Sequence, residues 1–400
     1  MLGHELEREL TGRIIPFWRS LRDDVHGGFF GEVDFDLRID RDADKSSLMM
    51  CRILWFFATA ARQLRDPVLL ADARQAYDFL VDHCFDQDNG GLFWSVSRAG
   101  VPHDTLKHTY AQAFGIYALS AYFRASGDTR ALGLALNLRD LIEGSCRDGR
   151  AYREAHDASF RQVPNDKLSE NGVLAERTMN TLLHMLEGYA GLYEAAPDPV
   201  TASAIRDLLN TFLTAIYNPE RHRLEVFFDA DLNSLIDLHS FGHDIEASWL
   251  VEWAAGLLRD PGLDSAIGEM CTDLAQEVYR SGYRGGAVLN EALGDAVDTS
   301  RVWWVQVEAL QGFARAGERA IGSSWAPVFA QAVDDVWHFI RSNLIDPRPG
   351  SEWYWRVDER GRPFRGDPMA ATWKCPYHNG RACLRLIEHT GALFAAPVGA

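Results

Sequence analysis

The chain has 400 residues, 47% of them hydrophobic and 24% charged, with 40 Lys and Arg against 57 Asp and Glu, a formal charge of −17. Such a composition belongs to chains that bury a large core, and it excludes disorder as the main state. The acidic balance, unbroken by any basic run, argues against a nucleic-acid partner, whose phosphates need a cationic face.

In chain order, 3.6-residue periodicity and cap signals predict twelve helices. They fall at 3–22, 46–64, 67–85, 105–125, 128–144, 179–195, 199–216, 243–259, 261–282, 300–317, 323–342 and 376–390. The first, opening MLGHELERELTGR, lacks the apolar stretch of a secretory signal. The second holds the longest apolar run, Ile53 to Ala61 with Thr59 inside it, far too short to span a bilayer. Six cysteines (Cys51, Cys84, Cys146, Cys271, Cys375 and Cys383) show no CxxC spacing, so neither a zinc module nor a disulfide framework is expected. A reducing cytoplasm is the expected location, and no membrane partner is expected.

Short turns link the helices in pairs: Arg65-Asp66-Pro67, Gly127-Asp128, Pro197-Asp198-Pro199 and Asp260-Pro261-Gly262. Longer connections carry a double glycine before aromatic or β-branched residues, at Gly27-Gly28, Gly90-Gly91 and Gly285-Gly286, which reads as a tight turn into a short strand. This recurrence suggests repeated helical hairpins. The expected fold is therefore all-α: one domain over 1–400, a closed (α/α)6 barrel of six hairpins with short β-hairpin elements in the loops. Inner helices of such a barrel should be apolar nearly all round, as 46–64 and 105–125 are.

The alternate, more apolar helices place polar or aromatic residues near their N-terminal ends. These are Arg52; Tyr110 and Gln112; Asn180 and His184; His243, Asp244 and Glu246; Trp303, Trp304, Gln306 and Glu308; and His378, Asn379 and Arg381. In a closed barrel the inner helices run parallel, so these groups converge on one mouth. A helix N-terminus keeps His neutral near pH 7, and a neutral His can take a proton. Two facing histidines, with Arg to stabilise an oxyanion, suit proton abstraction beside a carbonyl: racemase, epimerase or isomerase chemistry, with no metal and no other cofactor. Glu246, three residues after His243, would orient or charge that ring.

Other readings stay open. His184, His243 and Glu246 could ligate a metal through HxxE spacing. Asp244, Glu246 and Glu308 could supply a glycosidase acid/base pair, which would leave the histidines idle. Nine of the twelve Trp lie between Trp249 and Trp373, which would also suit a sugar-binding scaffold without catalysis, or simple core filling. No phosphate-cradling glycine loop appears at a strand–helix junction.

Six segments carry a resemblance: HGGFFGEVDFDL (26–37), CRILWFFATAA (51–61), MNTLLHMLEGYAGLY (179–193), FGHDIEASWLVE (241–252), WWVQVEALQGF (303–313) and WKCPYHNGRACLRLI (373–387). In order and over almost the whole chain, they resemble the cellobiose 2-epimerase branch of the N-acylglucosamine 2-epimerase superfamily. The resemblance implies an (α/α)6 barrel that inverts C2 of a reducing-end sugar through a cis-enediolate. It implies His243 and His378 as the acid/base pair, with His378 on the face of the glucose-configured substrate, and Arg52 and His184 at the O1/O2 region. Tyr110, Asn180 and Glu246 would position the sugar and assist ring opening, and Trp303 and Trp373 would stack on sugar rings. Trp304 and Glu308 complete the expected substrate-binding set. Three positions depart from the family pattern: Val305 after the paired Trp, Leu183 within MNTLLH, and Gly172 beside the mouth. Mannose/glucose 2-epimerase, N-acylglucosamine 2-epimerase and aldose–ketose isomerase activities share this chemistry. The expected partner is a small sugar, and the expected assembly a monomer or homodimer.

Overall fold

The computed structural model describes residues 2–169 and 171–390. The N-terminal helix α1 runs as Leu2–Glu9, a π-helical turn at Leu10–Ile14, and Ile15–Ser20. Then come α2 (Ser47–Leu64), α3 (Pro67–Phe79), α4 (Thr109–Ser126), α5 (Thr129–Ser145) and α6 (Met179–Ala195). The second half holds α7 (Pro199–Thr211), α8 (Phe241–Leu258), α9 (Pro261–Glu277), α10 (Trp303–Arg319), α11 (Trp325–Phe339) and α12 (His378–Thr390). Helices α3, α7, α9 and α11 each continue into a π-helical turn that hands the chain to the next loop.

The inner helices α2, α4, α6, α8, α10 and α12 pack each on the next, and α12 returns to α2, which closes the ring. Each outer helix lies against the inner helix before it; α1 takes the outer place beside α12. The inner helices are buried almost all round, whereas outer helices bury one stripe. Close approach between inner helices depends on missing side chains. A Cβ on Gly188 would lie 2.7 Å from the carbonyl oxygen of Ala113, and one on Gly312 would lie 2.6 Å from that of Ile245.

The hairpin turns follow from local chemistry. Arg65, Gly127 and Arg259 adopt left-handed backbone and end their helices. Asp66, Asp128, Asp198 and Asp260 then cap the next helix by accepting its first free N–H groups. Proline follows three of these four aspartates, where its missing N–H costs nothing.

The mouth is laced by a second ring. The strand before each inner helix pairs antiparallel with a strand in the next loop. Lys45–Ser46 pairs with Ser95–Val96, Lys107–His108 with Ala155–His156, and Arg177–Thr178 with Phe227–Phe228. Leu238–Ser240 pairs with Glu291–Leu293 and Arg301–Val302 with Arg356–Val357, and a bridge from Val33 to Ala370 closes the circuit. The double glycines serve this layer. Gly285 and Gly286 take φ of 61° and 80° between the paired strands Tyr283–Arg284 and Ala287–Val288, the two positive angles that a type I′ hairpin requires.

Several helix starts differ from the sequence reading by two to four residues. The region 105–108, expected as helix, holds the strand Lys107–His108, because its Lys side chain is drawn into a buried ion pair. All six cysteines are buried and free. Among the described residues no helix is long and apolar enough to cross a membrane.

Candidate active site

The N-terminal ends of the inner helices meet at the mouth, as the polar pattern predicts, but the polar groups there divide into two kinds. Some are structural clips. Gln112 exchanges hydrogen bonds with both backbone groups of Leu92, and Gln306 does the same with Val288, so each inner helix holds the strand that follows a double glycine. Asn379 donates to Glu352, which also binds Lys374 in a fully buried pair. Asp244 accepts from the backbone of Leu224 and contacts His239 at 2.9 Å, away from the other carboxylates.

The remaining groups form one connected network. Arg52, 1% exposed, donates from Nη2 to Tyr110 Oη at 2.6 Å, and its guanidinium lies over the rings of Phe114 and Tyr377. Its Nε is buried with no hydrogen-bond partner. His184 contacts Glu187 through Nδ1 at 2.9 Å and meets the Tyr110 ring edge-on. Glu187 also accepts from Tyr377 Oη and from Arg381 at 2.5 Å. Arg381 continues to Glu246 at 2.5 Å and Glu308 at 2.7 Å.

His378 Nδ1 lies 2.8 Å from Glu308 Oε1, and His243 Nδ1 lies 2.7 Å from Ser240 Oγ. The indole of Trp304 lies beside both imidazoles, with ring centroids 4.8 Å from His243 and 5.5 Å from His378. Both imidazoles thus have Nδ1 anchored, which leaves Nε2 outside these contacts.

Burial sets the protonation states. It pushes His243 down to about 3, helped by the charge of His184, and holds His378 well below its usual value, with Arg381 and Arg52 adding repulsion. Both rings are neutral bases at pH 7. Burial, then repulsion from Glu308, raises Glu246 to about 7. Glu308 is raised too by burial, against the pull of Arg381. For Glu187 burial pulls upward, but Arg381 and His184 overcome it and hold the carboxyl down at about 2. Tyr110 is raised by burial despite Arg52, so it stays a phenol.

Several expected site residues take other places. Glu246 turns toward Arg381 and lies 3.9 Å from His378 Nδ1, while Ser240 orients His243 in its stead. Glu308, expected on the substrate, is fully buried behind His378, held by Trp249 at 3.0 Å and Gln311 at 3.2 Å. Trp303 is 2% exposed and packs on Trp355, whereas Trp304 and Trp373 keep part of their surface. Asn180 lies one turn before His184, with a buried side-chain oxygen that has no partner. The metal set considered from spacing, His184, His243 and Glu246, does not come together. The side chains that do cluster, Glu246, Glu308 and His378, have both carboxylates bound by one Arg381 nitrogen. That sharing also keeps Glu246 and Glu308 on one side, behind His378, where a glycosidase pair would flank its bond.

Sequence reasoning left Glu187, Tyr377, Ser240 and Trp249 without roles and gave Arg381 no partner. One signal is present in the sequence: His184 and Glu187 share the i,i+3 spacing of His243 and Glu246. A separate cavity of about 490 Å³ opens at the other end of the barrel, beside Trp55, Tyr117, Trp253 and Arg385. Trp249, whose indole N–H donates to Glu308, lines this cavity as well.

Residues 28–382 match the family described as N-acylglucosamine 2-epimerase (GlcNAc 2-epimerase). A cellobiose 2-epimerase of Eubacterium cellulosolvens is 46% identical over 404 residues, covering 97% of this chain and 98% of its own. One from Ruminococcus albus is 42% identical over 387 residues, covering 97% of this chain and 98% of its own. The solved cellobiose 2-epimerase of Bacillus thermoamylovorans superposes with a TM-score of 0.93 at 40% identity, covering 97% of this chain and 99% of its own. With the (α/α)6 ring and its histidine-lined mouth in place, the chain belongs to the N-acylglucosamine 2-epimerase family.

Proposed function

We propose that the protein is a cellobiose 2-epimerase, inverting C2 of the reducing-end sugar by proton transfer between two histidines. The observation that carries this reading is the pair of neutral imidazoles flanking Trp304, each anchored at Nδ1 by a different partner. Glu308, as a carboxylate, accepts from His378 Nδ1–H, so Nε2 of His378 carries the lone pair and serves as base. Ser240 can donate or accept, so His243 can hold its proton on Nε2 and deliver it.

In the glucose-to-mannose direction the ring first opens to the aldehyde. His378 then takes the proton from C2; the C2–H pair becomes the C1–C2 double bond, and charge moves onto O1. Arg52 and His184 stabilise this cis-enediolate, as donors fixed in advance do for developing charge. His243, whose imidazolium the negative charge building on the sugar favours over the neutral ring of the empty site, returns its Nε2 proton to the opposite face of C2 and is left neutral while His378 holds the abstracted proton; the reverse reaction exchanges the two roles. Glu246 acts from behind His378 by holding Arg381, and Trp304 and Trp373 supply aromatic faces to the sugar.

Proton NMR with cellobiose, glucose, mannose and N-acetylglucosamine, each in deuterated water, tests the reading. C2-epimer signals with deuterium entering at C2, fastest for cellobiose, are the expected result. A faster monosaccharide would move the substrate assignment, and no exchange with any of the four would overturn the epimerase reading.

A further inference from the structure

The cavity of about 490 Å³ at the end of the barrel opposite the mouth has no part in the mechanism above, yet its wall reaches the acid/base pair. Trp249 donates from Nε1 to Glu308 Oε2 at 3.0 Å, and Gln311 donates to the same oxygen at 3.2 Å. The other oxygen of Glu308 lies 2.8 Å from His378 Nδ1. Trp249 and Gln311 both line the cavity, so the carboxylate that anchors His378 is itself held from the cavity wall.

The charged groups around this cavity divide by whether they have partners. Glu194 is taken by Arg124 at 2.5 Å and by the Trp253 indole at 3.2 Å, Glu318 by Arg315 at 2.7 Å, and Glu388 by Gln63 at 2.9 Å. Two cations of the lining, Arg62 and Arg385, make no hydrogen bond or ion pair among the described residues. Arg385 is half-buried, with its guanidinium 4.7 Å from the Trp249 ring and 4.5 Å from that of Trp253. Those indoles already carry a cation, and Trp55 stacks on Tyr117 at 5.2 Å, so the chemistry left free in the cavity is that of the guanidinium edges. Their planar N–H donors match a carboxylate or a phosphoryl group two bonds at a time. In a chain with 57 acidic against 40 basic residues, two unpaired arginines sharing one cavity reverse the local sign. The volume exceeds what an inorganic ion needs and falls among small-molecule sites.

We infer that this cavity is a second binding site, for a small organic anion held at Arg385 and Arg62, and that its occupancy is felt at His378. The coupling rests on the 2-epimerase reading; the binding does not. The anion fixes the Arg385 guanidinium, the guanidinium fixes Trp249, and a fixed Trp249 keeps Glu308 and the His378 ring in register. The mouth is untouched, so the effect falls on the chemical step rather than on the hold on the sugar.

Isothermal titration calorimetry of the full chain tests the binding without reference to activity. The probes are citrate for the carboxylate, glycerol 3-phosphate for the phosphate ester, and glycerol as the neutral control. At least one anion should bind and glycerol should not, and Arg385→Gln should weaken the binding about tenfold or more, the loss of a charged hydrogen-bonding partner. No heat from either anion, equal binding of glycerol, or an affinity unchanged in Arg385→Gln would overturn the site. Should Arg385→Gln fail to fold, Arg62→Gln, at an exposed position, decides in its place. For the coupling, the bound anion should raise kcat for deuterium entry at C2 of cellobiose about threefold or more with KM unchanged, and Arg385→Gln should abolish that rise. A kcat that does not rise, or a change carried by KM, would overturn the coupling. Wild-type protein inactive on every sugar would remove the epimerase reading and the coupling with it, while the calorimetry alone decides the site.

Discussion

His378 and His243 differ in what holds them, and that difference should be visible one residue at a time. His378→Ala or His243→Ala should abolish C2 exchange while far-UV circular dichroism and the melting transition stay near wild type; a variant retaining near wild-type rate would remove the two-base mechanism. Glu308→Gln keeps the shape but loses the carboxylate that selects the His378 tautomer. It should lower kcat by about a hundredfold, a typical contribution of a correctly poised base, with little change in KM. Glu246 supplies a pH test. Its pKa is about 7 in the folded chain against 4.5 when unfolded, so the folded state binds the proton more tightly. The stability from this protonation is present below pH 4.5 and is lost as pH rises through 7. Glu246→Gln should therefore gain melting temperature relative to wild type on going from pH 5 to pH 8, and a difference that does not grow with pH would refute the assignment.

At the scale of elements, the close approach of α4 and α6 rests on Gly188. Gly188→Ala would drive a methyl group into the Ala113 carbonyl and should cost about 1–3 kcal/mol in denaturant unfolding, the usual range for overpacking. The helix count and hairpin turns were legible because they rest on local chemistry: an aspartate cap stands with a proline or a left-handed residue beside it, and at 65–67 and 259–261 with both. The site was only partly legible, for the opposite reason. Gln112 and Gln306 stand at the fourth residue of their helices and Arg52 and His184 at the sixth, all within the first two turns, and only the partner across the loop tells a clip from a member of the buried network. Glu308 likewise reads as a mouth residue until His378, seventy positions later, is seen covering it.

At the scale of the whole molecule, α1 completes the ring from the far end of the sequence. Its Leu6, Leu10 and Ile14 are buried, Glu5 and Glu9 accept from the indoles of Trp337 and Trp353, and Arg13 donates to the Asp346 carbonyl. Removing residues 1–22 would uncover α12, which carries His378. The truncated chain should lose both C2 exchange and its cooperative melting transition; an active truncation would show that five outer helices suffice.

Helix α12 ends, and α1 begins, on the face of the ring opposite the mouth, and the two lie side by side. Read as α12 followed by α1, they repeat the order of the other five hairpins, inner helix first and outer helix second. The present starting point is thus one of six equivalent cuts in a circle. Joining Thr390 to Leu2 by a linker and reopening the chain between Gly127 and Asp128 would give a circular permutant with every strand pair around the mouth intact.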